Sequence, residues 1–97
     1  MLNKSLVNKV LKILSPHRPN RVGIFGSFAR GENIKQSDLD ILISFKESVS
    51  LLKLVMIQQE LSDKLHLDVD LVTEGSLKNK KLKKSIYTDL IMLKNEE

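Results

Sequence analysis

The chain has 97 residues, 41% of them apolar, and 16 Lys and Arg against 12 Asp and Glu give a net charge of +4; there is no cysteine. That length suits one domain with a globular core, and the missing thiols exclude a disulfide framework and a thiolate metal site. No apolar run approaches the roughly 18 residues of a membrane span, and MLNKSLVNKVLKIL at the start sets Lys among Leu and Val at helical spacing, so a soluble, cytoplasmic protein is expected.

Leu6, Val7, Val10, Leu11, Ile13 and Leu14 recur at three- and four-residue steps, which predicts an amphipathic helix over 4–14, stopped by Pro16 and the turn-prone His17-Arg18-Pro19-Asn20. Arg21 to Phe25 reads as a short strand running into Gly26, then a loop or single helical turn over 27–36, then a β-branched-rich strand over 38–45. Ser50 is placed to cap a second helix reaching Leu65, with Leu52, Val55, Met56, Gln59 and Leu61 on a stripe expected to face a core. Leu67 to Thr73 reads as a third strand, broken by Gly75, and Ser76 as the start of a helix carrying Leu82, Ile86 and Leu90 at four-residue steps. Ile91-Met92-Leu93 fits either the end of that helix or a final strand. The sum is an α/β (α+β) fold, a small mixed sheet of three or four strands with helices mainly on one face, as a single domain over 1–97.

Alternation along a strand puts Asp38, Asp40 and Leu42 on one face and Leu39, Ile41, Ile43 and Phe45 on the other, which is core. The same rule sends Val69 and Leu71 inward and Asp68 and Asp70 outward. If the two strands are neighbours, Asp70 sits beside Asp40 and three carboxylates cluster. Two unit charges 4 Å apart repel by about 4 kcal/mol at an effective dielectric near 20, so the cluster calls for a cation. Aspartate oxygens are hard donors suited to Mg²⁺ or Mn²⁺. Gly26 and Ser27, at a strand-to-turn junction, offer backbone N–H groups and a hydroxyl to a phosphate.

Each piece has an ordinary reading. Asp-x-Asp is common at exposed strand edges, Gly-Ser is a usual turn, and Arg30 can pair with Glu32 or an aspartate. Lys78, Lys80, Lys81, Lys83 and Lys84 suit phosphates or an acidic partner, but with only Tyr87 nearby for stacking they read first as a solvated helix face. His17 and His66 read as surface residues without metal spacing, Tyr87 as a half-buried helix residue, and Met56 and Met92 as core filler. What stands out is the combination of Gly26, Ser27, Arg30, Gly31, Ser37, Asp38 and Asp40 at fixed offsets.

GSFARGENIKQSDLDILI, residues 26–43, resembles the signature of the minimal nucleotidyltransferase family of the DNA polymerase β-like superfamily: Gly-Ser, Ala-Arg-Gly, then Ser-Asp-x-Asp. DVDLVTEGSLKNKKLKKSI, residues 68–86, is similar to that family's third-aspartate strand and the helix after it, so the resemblance covers nearly the whole chain. It implies a polymerase β-like palm fold in which Asp38 and Asp40 bind metal and Asp70 is the third catalytic carboxylate. Gly26 and Ser27 would hold the triphosphate, Arg30 would lie near the phosphates or brace the loop, and Asp68 would stand outside the ligand set.

The implied reaction transfers AMP from ATP to an acceptor hydroxyl with two Mg²⁺ ions, or Mn²⁺ in their place. The implied partner is a HEPN ribonuclease toxin, modified on a tyrosine, with this chain as its antitoxin. The sheet and helices leave no separate acceptor-binding domain, so the acceptor is expected from a partner or a second copy, in a homodimer or hetero-oligomer. The Lys-rich and N-terminal helices are the candidate docking surfaces. Rival readings are an antitoxin that acts by binding alone and a subunit that nucleotidylates a small molecule; a nucleic-acid module on the lysines lacks a recognition motif.

Overall fold

The computed structural model describes residues 3–32 and 38–96. Its elements run α1 (Lys4–Leu14), β1 (Pro19–Phe25), α2 (Ser27–Arg30), β2 (Leu39–Phe45), α3 (Leu51–Leu65), β3 (Val69–Thr73), α4 (Lys80–Asp89) and β4 (Ile91–Asn95), with 3₁₀ turns at Ser15–His17 and Glu74–Ser76. Short polar side chains set the helix starts. Asn3 Oδ1 accepts the Ser5 N–H at 2.7 Å and Ser50 Oγ accepts the Lys53 N–H at 3.1 Å, the second as the sequence predicts.

One start differs from expectation. The lysine-rich helix begins at Lys80, because Asn79 Oδ1 accepts the N–H groups of Lys81 and Leu82 at 2.9 and 3.1 Å. Ser76 instead donates its hydroxyl to the Thr73 carbonyl at 2.8 Å and closes the turn before the helix. The open segment after that helix is a strand, β4, paired antiparallel with β1.

The sheet order is β3-β2-β1-β4, with β1 antiparallel to β2 and to β4, and β2 parallel to β3 across the α3 connection. Register places Ile24 opposite Ile41, Val22 opposite Ile43, Leu39 opposite Val69 and Ile41 opposite Leu71. These side chains form one apolar face, and Val10 and Leu14 of α1 with Ile57 and Leu61 of α3 bury against it. On the opposite face a smaller cluster joins Leu42 to Leu77 and Ile86, flanked by Phe25, Val72, Tyr87 and Leu90. The helices therefore lie mainly on one face, with α4 covering part of the other. Among the described residues no helix is long and apolar enough to cross a membrane.

The face of α3 is not the one expected. Leu54, Ile57, Leu61 and Leu65 pack inward, whereas Leu52, Val55 and Met56 are 71%, 52% and 62% exposed, so Met56 is not core filler. The cause is the segment Leu51-Leu52-Lys53-Leu54-Val55-Met56-Ile57: it is apolar nearly all round, so its periodicity does not choose a side. Leu82 is likewise outside the core, at 53% exposure, and Ile86 is the α4 residue that is buried. His17 is half-buried, not on the surface, and pairs with Glu60 Oε1 at 3.1 Å, tying the turn after α1 to α3. His66 is exposed and ends α3 at φ 56.

The two faces of α3 are separable by unfolding. Leu61→Ala, at a fully buried position, is expected to lower urea-unfolding stability by about 2–5 kcal/mol, and Leu52→Ala to stay within about 0.5 kcal/mol of wild type.

Candidate active site

β1 ends at Phe25 and turns at Gly26, whose φ of 74 and ψ of −153 favour glycine strongly. α2 follows as a single turn, with the Gly26 carbonyl accepting the Arg30 N–H at 3.1 Å and the Ser27 carbonyl accepting the Glu32 N–H at 2.9 Å. Buried Phe28 fastens this turn to the main core. Gly26 is fixed a second time by its neighbour: a Cβ on it would overlap Oδ2 of Asp40. That contact follows from register, since Phe25 is paired with Asp40 across β1 and β2.

Asp40 also faces Asp70 directly in the parallel β2–β3 pair, the juxtaposition expected from alternation. Asp38 lies exposed just before β2, and Asp70 is exposed on β3. Burial first, then the negative fields of Asp70 and Asp38, push the Asp40 carboxyl above the usual carboxylate range, with Arg30 partly offsetting them. Asp68 is exposed and its carbonyl accepts the Leu39 N–H at 2.8 Å; the β3 aspartate whose field reaches Asp40 is Asp70. Ser37 lies outside the described residues.

These carboxylates fit a hard divalent cation in donor type. At Asp40, burial and the fields of Asp70 and Asp38 outweigh the opposing field of Arg30, and only a residue without a side chain fits beside Oδ2 at position 26. Among the described residues no three acidic or imidazole side chains stand close enough to hold an ion as placed.

Arg30 is held from two directions. Its Nε donates to Glu32 Oε1 at 2.9 Å, the local pairing weighed from sequence, and its Nη1 donates to Asp89 Oδ2 at 2.9 Å. Sequence reasoning missed Asp89, which lies 59 residues away in the chain; the one signal was an acid closing a lysine-rich helix. The five lysines of the cluster are all exposed. Tyr87 is half-buried as expected and donates to Glu74, which also pairs with Arg21 at 3.2 Å.

A glycine-serine turn thus lies against Asp40 of β2, with Asp38 just before that strand and Asp70 on its parallel neighbour, an arrangement of the kind the nucleotidyltransferase class carries. Residues 6–93 match the nucleotidyltransferase domain model, and the chain belongs to that family. It is 45% identical over 91 residues, 93% of each chain, to a Methanocaldococcus jannaschii protein named provisionally as a protein adenylyltransferase. It superimposes with a TM-score of 0.84 and 26% identity on a chain of a toxin–antitoxin complex with AMP-PNP, covering 94% of this chain and 74% of that one. A provisionally named minimal nucleotidyltransferase gives a TM-score of 0.76 at 34% identity, covering 91% and 89%. The chain is thus a transferase, of a family that uses nucleotide and divalent metal.

Two outcomes follow from the electrostatics and the turn. The folded Asp40 carboxyl keeps its proton to higher pH than the unfolded chain does, so its ionised form opposes folding, and stability from this residue rises as pH falls through its raised value towards the ordinary 3.8. Asp40→Asn is therefore expected to raise the metal-free Tm at pH 7, and the gap to wild type to close as the pH is lowered, in thermal melts across pH 3–8. Gly26→Ala meets both a left-handed φ and the Asp40 carboxylate, and is expected to lower stability by about 1–3 kcal/mol, read by urea unfolding.

Proposed function

We propose that this chain transfers AMP from ATP, with Mg²⁺, to a tyrosine hydroxyl of a HEPN ribonuclease toxin and so acts as its antitoxin. The observation that carries the reading is the half-buried Asp40 carboxylate, set against Gly26 and level with Asp70, with its pKa raised by burial and by the fields of Asp70 and Asp38. The name of the M. jannaschii relative and the nucleotide analogue in the toxin–antitoxin neighbour support it.

In this reading Asp38, Asp40 and Asp70 hold two divalent ions, with Mn²⁺ able to replace Mg²⁺. When bound there, the ions neutralise triphosphate charge and lower the pKa of the attacking hydroxyl. The Ser27 hydroxyl and the backbone N–H groups of the Gly26–Ser27 turn bind the phosphates, and the Arg30 guanidinium draws them toward the turn. Asp70, exposed beside Asp40, accepts the proton of the incoming hydroxyl. The acceptor oxygen bonds to the α-phosphorus as the bond to the β-phosphate oxygen breaks, and pyrophosphate leaves in line. Among the described residues Asp38 and Asp70 are exposed, which leaves them accessible to an acceptor carried by another protein.

The test is to incubate the chain with labelled ATP and Mg²⁺, with and without the toxin, and to locate label by mass spectrometry. Label on a toxin tyrosine is expected, falling by at least about 10²-fold in Asp38→Asn and Asp40→Asn while both remain folded. Toxin neutralised equally by Asp38→Asn, with no label transferred, would establish an antitoxin that acts by binding alone.

A further inference from the structure

Asp89 is the last residue of α4, and by local rules it is misplaced. The C-terminus of a helix carries partial negative charge and favours a cation in its last turn. α4 has Lys80, Lys81, Lys83 and Lys84 in its first half and no basic residue in its last turn, where it carries an aspartate instead. The inversion is offset by one long-range bond, Arg30 Nη1 to Asp89 Oδ2 at 2.9 Å. Sequences that break a local rule against their own stability do so chiefly at functional sites.

Arg30 is well placed to be the reason. It closes the turn that starts at Gly26, its backbone N–H bonds the Gly26 carbonyl, and its charge partly offsets the carboxylate fields at Asp40. Of its two carboxylate partners, Glu32 has a side chain 65% exposed and Asp89 one 25% exposed. The more shielded pair is the stronger restraint, because exposed pairs are weakened by solvent and salt. The two bonds use two of the five guanidinium donors. A long, flexible arginine loses rotamer freedom when it binds phosphate, and one already held has lost that freedom beforehand.

We propose that Asp89 is a positioning residue for nucleotidyl transfer: it fixes the Arg30 guanidinium beside the Gly26–Ser27 turn so that the nucleotide phosphates meet a prearranged fork. It touches no substrate and acts only through Arg30. This assignment rests on the transfer reading given above.

The experiment measures Mg-ATP binding by calorimetry and steady-state transfer to the toxin for wild type, Asp89→Ala, Asp89→Glu, Arg30→Ala and the Arg30→Ala/Asp89→Ala pair. Asp89→Ala is expected to raise the KM for ATP about tenfold and to change kcat by less than about twofold, with Asp89→Glu recovering most of the loss. In the Arg30→Ala background, Asp89→Ala should leave KM unchanged and raise Tm, because the unpaired acid then opposes the helix dipole. A merely structural Asp89 would lower Tm in both backgrounds. Wild type that transfers AMP, with KM unchanged or lowered in Asp89→Ala, overturns the positioning role and leaves the function standing. Wild type that neither binds Mg-ATP nor transfers overturns the function and this role with it.

Discussion

The backbone of Gly26 lies against the Asp40 carboxylate, and the geometry of the site depends on keeping that contact. It demands a residue without a side chain, a turn with positive φ, and the pairing of Phe25 with Asp40. A slip of one residue between β1 and β2 would destroy it. What prevents the slip is on the other side of the sheet. Leu39, Ile41 and Ile43 with Val22 and Ile24 are all completely buried there, and moving the register by one would turn an entire row into solvent. Apolar burial on one face thus fixes a carboxylate arrangement on the other that electrostatics alone would disperse.

The charge pattern follows the same division. The chain is basic, at +4, yet the exposed end of its functional face is acidic. Its densest positive segment, α4, packs on that same face through Ile86 against Leu42, with its lysines exposed. Arg30 is the point where the two meet, bonded to Asp89 at the end of α4 and acting on Asp40 at the start of β2.

Where the sequence was legible, one strong local constraint fixed the answer. Two-residue alternation identified the inward and outward faces of β2 and β3, and with them the meeting of Asp40 and Asp70. Ser50 was a readable cap because it stands alone before an apolar run. Where two constraints of similar strength competed, it was not. Ser76 and Asn79 are both capping residues, and the choice fell to a hydroxyl bond back to Thr73. The first two turns of α3 are apolar on nearly every side, so the tertiary packing of α1 and the sheet decided that Met56 faces out and Ile57 faces in. The pairing of Arg30 with Asp89 spans 59 residues and no periodicity encodes it.

The incomplete cover of the functional face is itself a physical requirement of the proposed reaction. A small acceptor can be enclosed by the enzyme, but a tyrosine on another folded protein must bring its oxygen to the α-phosphorus with its own backbone and neighbours attached. A sheet wrapped by helices on both sides would exclude it. Here α1 and α3 supply most of the buried core from one side, and among the described residues the smaller cluster on the opposite side, Leu42, Leu77 and Ile86 with their flanking side chains, does not enclose the carboxylates. Asp38 and Asp70 consequently remain exposed while Asp40, held between β1 and β3, is only half-buried. An open carboxylate edge admits water as readily as a protein hydroxyl, and selectivity for the hydroxyl then requires that the docked acceptor complete the enclosure. For a fold of this kind, partner binding and exclusion of water are the same event.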